Sequence, residues 1–244
     1  MNDLYNELIR KSETGKKSLA VLIDPDHQDH LGELVKHAAI HPPDYFFVGG
    51  SVLNGGNLEK CIAAIRGKSK IPILLFPGNE MQITASADGL LLLTLISGRN
   101  ADLLIGRHVA AAAMIRASRV EIIPTGYLLV ESGSATSVSY ISNTLPVPRN
   151  KSGLATLTAM AGEQLGLKMI YLEAGSGAQL PVPLEMITEV KNNISIPLVV
   201  GGGLRSAEEI EARCRAGADM IVVGNILEQN PGLLGSFVEK VRAF

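Results

Sequence analysis

Short apolar runs alternate with helical patterns along all 244 residues, which predicts a single eight-stranded parallel α/β barrel. Three observations carry that expectation. The length suits one such barrel and is short for two domains. The apolar runs are continuous rather than alternating, as strands covered on both faces require. Two consecutive runs near the C-terminus, 196–200 and 219–223, end in the glycine-bearing loops Gly201-Gly202-Gly203 and Gly224-Asn225. In barrels of this kind the loops after the seventh and eighth strands hold a phosphate on exposed backbone N–H groups. Ordinary strand-to-helix turns also favour glycine, but two such loops one βα unit apart favour the phosphate site. The expected architecture is one domain over 1–244, a (β/α)8 TIM-type barrel with an irregular or missing third helix.

The elements follow in order. Residues 2–13 place Leu4, Leu8 and Ile9 on one helical face, a leading helix able to cap the barrel floor and ended by Gly15. The first strand, 18–23, runs into Asp24-Pro25-Asp26. A helix over 31–40 leads to a second strand, 44–48, which ends in Gly49-Gly50-Ser51. Residues 58–66 are helical with Cys61, Ile62 and Ile65 inward, and 71–76 is the third strand, stopped by Pro77-Gly78-Asn79. Between 80 and 88 the apolar residues are Met81, Ile83, Ala85 and Ala87, too little for a helix. Residues 90–95 make the fourth strand and 101–118 an alanine-rich helix. Its small side chains suit either a close partner helix or dense packing on its own barrel.

The fifth strand is expected at 120–124, after which regularity fails. Residues 127–130 read as an extra strand, and the Ser/Thr-rich stretch 132–144 with Pro146 and Pro148 reads as a long loop on the catalytic face. Such loops are often lids. A helix over 154–167 closes at Gly166; then come a sixth strand (169–173), a helix (184–192) and the seventh strand, with Pro197 at its start. The helix at 207–216 has Ser206 as N-cap with Glu208 and Glu209 in its first turn. The eighth strand and a closing helix over 233–241 complete the chain.

Composition narrows the function classes. Apolar residues are 46% and charged residues 19%, and the net charge of −2 offers no basic footprint for nucleic acid. Two distant cysteines, Cys61 and Cys214, suggest neither a disulfide frame nor a zinc site. The acidic N-terminus is unlike a signal peptide, and the most apolar run, 90–96, is far too short to span a bilayer. A cytoplasmic enzyme is expected.

In a barrel the chemistry lies at the C-terminal ends of the strands. There the sequence offers Asp24 and Asp26; Ser51; Ser97, Arg99 and Asn100; Thr125 and Tyr127; Tyr171, Glu173, Ser176 and Gly177; and the two glycine loops. No histidine or cysteine falls at a strand end, which argues against Ser/His or Cys/His nucleophilic catalysis. Acidic oxygens beside a phosphate pocket suit Mg²⁺, which takes one or two protein oxygens and completes its octahedron with water and phosphate. Asp24 is the first candidate ligand with Ser51 as a neighbouring oxygen, although Asp24 also suits an Asx turn. Asp26 reads as a local N-cap. Glu173, in a partly desolvated cleft, is able to take a proton from an alcohol; its alternative is a cap or an ion pair with Lys168 or Arg205. Tyr171 serves equally as barrel filling. His27, His30, His37, His41 and His108 lack a second ligand class and read as loop or solvated residues.

Six stretches in order, Leu22-Ile23-Asp24-Pro25-Asp26, Val48-Gly49-Gly50-Ser51, Ser97-Gly98-Arg99-Asn100, Tyr171 through Gly177, Val200-Gly201-Gly202-Gly203 and Val223-Gly224-Asn225, resemble the geranylgeranylglyceryl phosphate synthase family. The form from Tyr171 to Gly177 is similar to its second subgroup, and heptaprenyl-specific bacterial relatives belong to the same family. The resemblance implies a barrel lacking a regular third helix. It implies an Mg²⁺-dependent prenyltransferase of lipid synthesis, joining sn-glycerol-1-phosphate to a polyprenyl diphosphate, geranylgeranyl first and heptaprenyl as the alternative. By position, Asp24 and Ser51 would hold Mg²⁺. Tyr171, Leu172, Glu173, Ala174, Gly175, Ser176, Gly177, Gly202, Gly203, Gly224 and Asn225 would hold the glycerol phosphate, with Glu173 and Tyr171 catalytic. It also implies a homo-oligomer, dimer or hexamer, and a transient membrane-surface contact for the lipid product.

Two rivals stand beside it. A sugar-phosphate isomerase or aldolase would use the same glycine loops, but Pro124-Thr125-Gly126 replaces the carboxylate that histidine-pathway isomerases need, and no lysine stands at a strand end for a Schiff base. A non-catalytic phosphate-binding barrel would have no need of both Asp24 and Glu173.

Overall fold

Residues 3–244 are described by a computed structural model. Its strands are β1 (Ser18–Ile23), β2 (Tyr45–Val48), β3 (Ile73–Leu75), β4 (Gly89–Leu95), β5 (Glu121–Leu129), β6 (Met169–Glu173), β7 (Leu198–Gly201) and β8 (Met220–Val223). All pair in parallel, and β8 returns to β1 to close the barrel. Inward residues such as Ala20, Phe47, Leu91, Tyr171 and Val222 fill the interior, while outward ones such as Val21, Phe46, Leu90, Leu172 and Ile221 pack against the helices. Both faces are apolar, which is why the strands read as continuous runs. Each fully buried side chain of this size contributes roughly 1.5–3 kcal/mol to folding.

The helices are α1 (Asp3–Glu13), α2 (Leu31–Ile40), α3 (Leu58–Arg66), α4 (Arg107–Ser118), α5 (Ser137–Ser142), α6 (Ser152–Gln164), α7 (Leu184–Lys191), α8 (Ala207–Ala216), α9 (Asn225–Gln229) and α10 (Leu234–Arg242). The leading helix expected from residue 2 begins at Asp3, with Asn2 outside the described residues. α1 closes the floor: Glu121 accepts the N–H groups of Leu4 and Tyr5 at 3.0 and 2.8 Å. Between β3 and β4 there is one 3-10 turn, Glu80–Gln82, in place of the third barrel helix. A π-helical turn, Asp102–Gly106, precedes α4 where an α-helix was expected from 101. Ala111 and Ile115 of α4 are buried, and Val109 and Met114 stand exposed. Among the described residues no helix is long and apolar enough to cross a membrane.

The largest correction concerns strand five. The expected strand at 120–124 and the extra strand at 127–130 are one nine-residue strand, β5. Thr125 is therefore a mid-strand residue, its hydroxyl donating to the Ile123 carbonyl at 2.9 Å. It is buried and far from the strand end.

Pro124 is tolerated because of a repeated device at the floor. Asp44, Asp88 and Asp219 each stand one residue before an even strand. Each donates its N–H to a carbonyl at the start of the preceding strand, Leu19, Ile73 or Leu198, at 2.8–2.9 Å. Each accepts that same residue's N–H on its carboxylate, at 2.8, 2.7 and 2.9 Å. A cation closes each clamp: Lys11 on Asp44 at 2.6 Å, Arg66 on Asp88, and Lys191 on Asp219 at 2.6 Å. In the fourth quarter Lys168 donates to the Pro124 carbonyl at 2.8 Å, and Lys168 takes the aspartate's place. Proline has no N–H to satisfy, so no carboxylate is needed.

A candidate active site at the barrel mouth

Glu173 ends β6 and sits under the mouth, 5% exposed. Loss of water pushes its carboxyl up to about 6, against the pull of the Gly175 N–H, which donates to it at 2.5 Å. The ion pair considered from sequence does not form. Arg205 donates instead to the carbonyls of Ala178 (2.9 Å) and Gln179, and the Lys168 ammonium lies 6.0 Å over the Tyr5 ring. Gly202 lies directly on the carboxylate, with φ +85, and a Cβ there would come within 2.3 Å of Glu173 Oε1. Only glycine permits that approach.

The loops around Glu173 expose donors. Ser176 Oγ donates to Asn225 Oδ1 at 3.0 Å and ties the β6 loop to the β8 loop. Among the loop and side-chain hydrogen bonds of the described residues, none uses the backbone N–H of Ser176, Gly177, Gly202, Gly203, Gly224 or Asn225. Clustered unpaired N–H groups make a seat for an anion. The side chains of Leu172 and Ala174, grouped with this seat by resemblance, face the outer core, and the Ala174 N–H is committed to the Gly201 carbonyl at 3.0 Å. The alternation of strand side chains puts both on the helix side.

Across the cleft, Asp24 Oδ1 accepts the Asp26 N–H at 2.9 Å, which is the Asx turn, and Oδ2 faces Gly50. A Cβ on Gly50 would come 3.0 Å from that oxygen, so the β2 loop reaches the carboxylate and brings Ser51 to the same wall. Among the described residues, Asp24 has one basic group within 4 Å, the exposed His27 at 3.5 Å. One open carboxylate with a neighbouring hydroxyl fits the Mg²⁺ mode of few protein oxygens with water and phosphate. A closed cage is absent: no cluster of three or more His, Cys, Asp or Glu occurs among the described residues. Asp26 is not the helix cap expected of it. It accepts the N–H groups of Asn54 (2.7 Å), Gly55 (3.1 Å) and Gly56, pinning the β2 loop, and these bonds hold its carboxyl below the usual range.

The remaining strand-end candidates brace the long loop that follows β5. Ser97 Oγ accepts the Leu129 N–H at 3.0 Å, Asn100 donates to the Ser142 carbonyl at 3.0 Å, and the exposed Arg99 folds onto the Gly98 carbonyl at 2.8 Å. The segment they support is pinned at its base by Glu131 to Val147 (2.9 Å) and Val147 to Leu129 (2.8 Å). Its short helix α5 turns Val138 and Ile141 toward the cleft.

Beside the cleft runs an apolar groove between β4 and α4, lined by Leu90, Leu92, Leu103, Ala111 and Ile115. It occupies the space left by the missing helix. Rings of Phe76, Tyr127 and Tyr171, with centroids 5.4–6.1 Å apart, floor the junction of groove and cleft. Tyr171 is fully buried, with its hydroxyl against Gly201 and the carboxylate of Glu173.

Residues 12–242 match the PcrB family. The chain belongs to that family. Its curated relatives include the geranylgeranylglyceryl phosphate synthases of Spirosoma linguale, 51% identical over 95% of this chain and 94% of its own length, and of Korarchaeum cryptofilum, 40% identical over 97% of each. The crystal structure of (S)-3-O-geranylgeranylglyceryl phosphate synthase from Thermoplasma acidophilum, in complex with sn-glycerol-1-phosphate, superposes with a TM-score of 0.91 at 29% identity, covering 99% of both chains. A Legionella pneumophila tryptophan synthase α chain, at 15% identity and a TM-score of 0.59, shares the barrel alone. The resemblance read from the six stretches holds, and PcrB members of this kind are prenyltransferases.

For this PcrB chain, sequence reading missed three parts of the cleft wall and its surroundings: Glu228, Phe76 and the short helix α5. Glu228, half-buried on α9, accepts the Asp24 N–H at 3.3 Å. Its signal was faint: a carboxylate three residues into a helix that begins at a phosphate loop.

Proposed function

We propose that this prenyltransferase joins sn-glycerol-1-phosphate to a polyprenyl diphosphate, geranylgeranyl diphosphate before heptaprenyl diphosphate, yielding the prenylglyceryl phosphate and diphosphate. One observation carries the reading: an apolar groove opens into a polar cleft in which a buried carboxylate lies against unpaired backbone N–H groups. A long hydrocarbon and a small phosphate thus have adjoining seats.

The loops of Gly202, Gly203, Gly224 and Asn225, braced by Ser176, fix the phosphate of the acceptor and turn its free hydroxyl toward Glu173. Glu173, poised near pH 6, takes the hydroxyl proton as the oxygen attacks. Tyr171 lies buried beside it, its own ionisation pushed well up by burial and by the charge of Glu173. Asp24 and Ser51 would hold a magnesium ion, whose chemistry when bound is to neutralise the departing diphosphate. The lid helix α5 excludes water from the junction. The exposed side of α4, with Val109 and Met114, is the face offered to a second copy in the homo-oligomer, which sedimentation checks.

The test is a prenyl-transfer assay with labelled sn-glycerol-1-phosphate and each donor, with sn-glycerol-3-phosphate and EDTA as controls. A lipid from the 1-phosphate alone, lost with EDTA, supports reaction, metal and tail length together. No product with either donor sinks the reading.

A further inference from the structure

Groove and cleft share six wall residues: Gly50, Ser51, Phe76, Tyr127, Val138 and Ile141. A donor with its tail in the groove and its diphosphate at the Gly50–Ser51 edge places its first carbon at this seam. Gly50 and Ser51 stand on the diphosphate side, and Val138 and Ile141 are alkyl groups of the lid. That leaves two rings. Phe76 directly follows β3 and is half-buried, stacked on Phe47 (6.2 Å, 18°) and flanked by Tyr171 at 5.5 Å and Tyr127 at 6.1 Å. The three neighbours crowd its ring, and Phe76 lines both groove and cleft.

We propose that Phe76 is a catalytic residue whose ring face stabilises the positive charge that develops on the allylic carbon of the prenyl donor. The proposal rests on the prenyl-transfer reading above. The electron pair of the carbon–oxygen bond leaves with the diphosphate, and the charge spreads over the first and third carbons of the allyl group. The acceptor hydroxyl supplies the pair for the new carbon–oxygen bond and its proton passes to Glu173. Phe76 forms no bond. An aromatic face attracts a cation without capturing it, and the attraction is largest where water is absent. A basic oxygen at the same place would trap the carbon. Tyr127, the other ring, keeps its proton because burial and the charge of Glu173 push its ionisation well up.

The experiment replaces Phe76 with mono-, di- and trifluorinated phenylalanine, which are nearly isosteric but progressively drain the ring face of charge. Single-turnover rates are measured with geranylgeranyl and heptaprenyl diphosphate, and sn-glycerol-1-phosphate binding by calorimetry. The logarithm of the rate should fall in step with each fluorine while acceptor binding stays constant. Phe76→Leu should lose roughly 10–30-fold in rate, and Phe76→Tyr should recover most of it. If Phe76→Leu does not fold, the fluorinated series alone carries the test. A flat series in an enzyme whose wild type makes product overturns the role of Phe76 and leaves prenyl transfer standing. A wild type that makes no product with either donor overturns both.

Discussion

The floor and the mouth of this barrel treat their carboxylates in opposite ways. At the floor, Asp44, Asp88 and Asp219 each hold a backbone N–H and a cation, so every charge is met. At the mouth, Glu173 is buried without a cation and Asp24 faces an open cleft. The floor joins strands in pairs and gains stability from doing so. The mouth keeps a charge short of partners, which costs stability and leaves a group ready to react. The same residue type at two ends of one barrel thus has two different jobs.

That contrast can be broken at either end. The largest effect is expected from Glu173→Gln, which should cut turnover by about 10²–10⁴-fold while leaving glycerol-phosphate binding near normal; an unchanged single-turnover rate would remove Glu173 from the chemistry. Next, Asp219→Ala should lower unfolding free energy by about 3–5 kcal/mol, since Lys17, Lys191 and the Leu198 N–H lose their partner in a buried setting. Urea unfolding checks it, and a loss of turnover in a fully folded variant would contradict the division between floor and mouth.

The pH dependence sharpens the comparison. The folded state holds the Glu173 proton up to about 6, above the ordinary value of 4.5. Below 4.5 both states are protonated and burial carries no charge penalty. As pH rises through 6 that advantage is lost, by about 2 kcal/mol. Glu173→Gln should therefore be more stable than wild type by about that amount at pH 7 and indistinguishable from it at pH 4, by paired thermal melts. Activity should rise with an acid limb near pH 6; a limb absent or unmoved in other mouth variants would detach it from Glu173. The smallest effect is expected from Ser176→Ala, which frees Asn225 and should weaken sn-glycerol-1-phosphate binding by about 1 kcal/mol. Calorimetry showing no change would leave the loop bridge without a role.

The sequence displayed the barrel because its strands are dry on both faces and its helices are striped, so local pattern and global packing agree. The weak stretch from 80 to 88 was legible for the same reason: too few apolar side chains for a helix. Strand five is not legible locally because Pro124 and Gly126 look like a break. Pro124 is harmless only through what stands beside it, Lys168 in place of an aspartate, and such a partner is invisible to a local reading. Asp26 looks like a cap to a local reading because its partners lie 28 to 30 residues away. Glu173 was legible from its place at a strand end, whereas Phe76 was not. A phenylalanine closing an apolar strand looks like core until the groove beside it is seen.

The missing third helix has a consequence for how such an enzyme can diversify. On the prenyl-transfer reading proposed above, the far end of the groove, toward α4, would take the length of the tail, while bond-making would lie at the seam with the cleft. On that reading, substitutions at Leu92, Ala111 or Ile115, which line the groove alone, would reset which hydrocarbon is admitted without touching Glu173 or the glycine loops. A gap in the scaffold would thus become a dial set apart from the catalytic constellation.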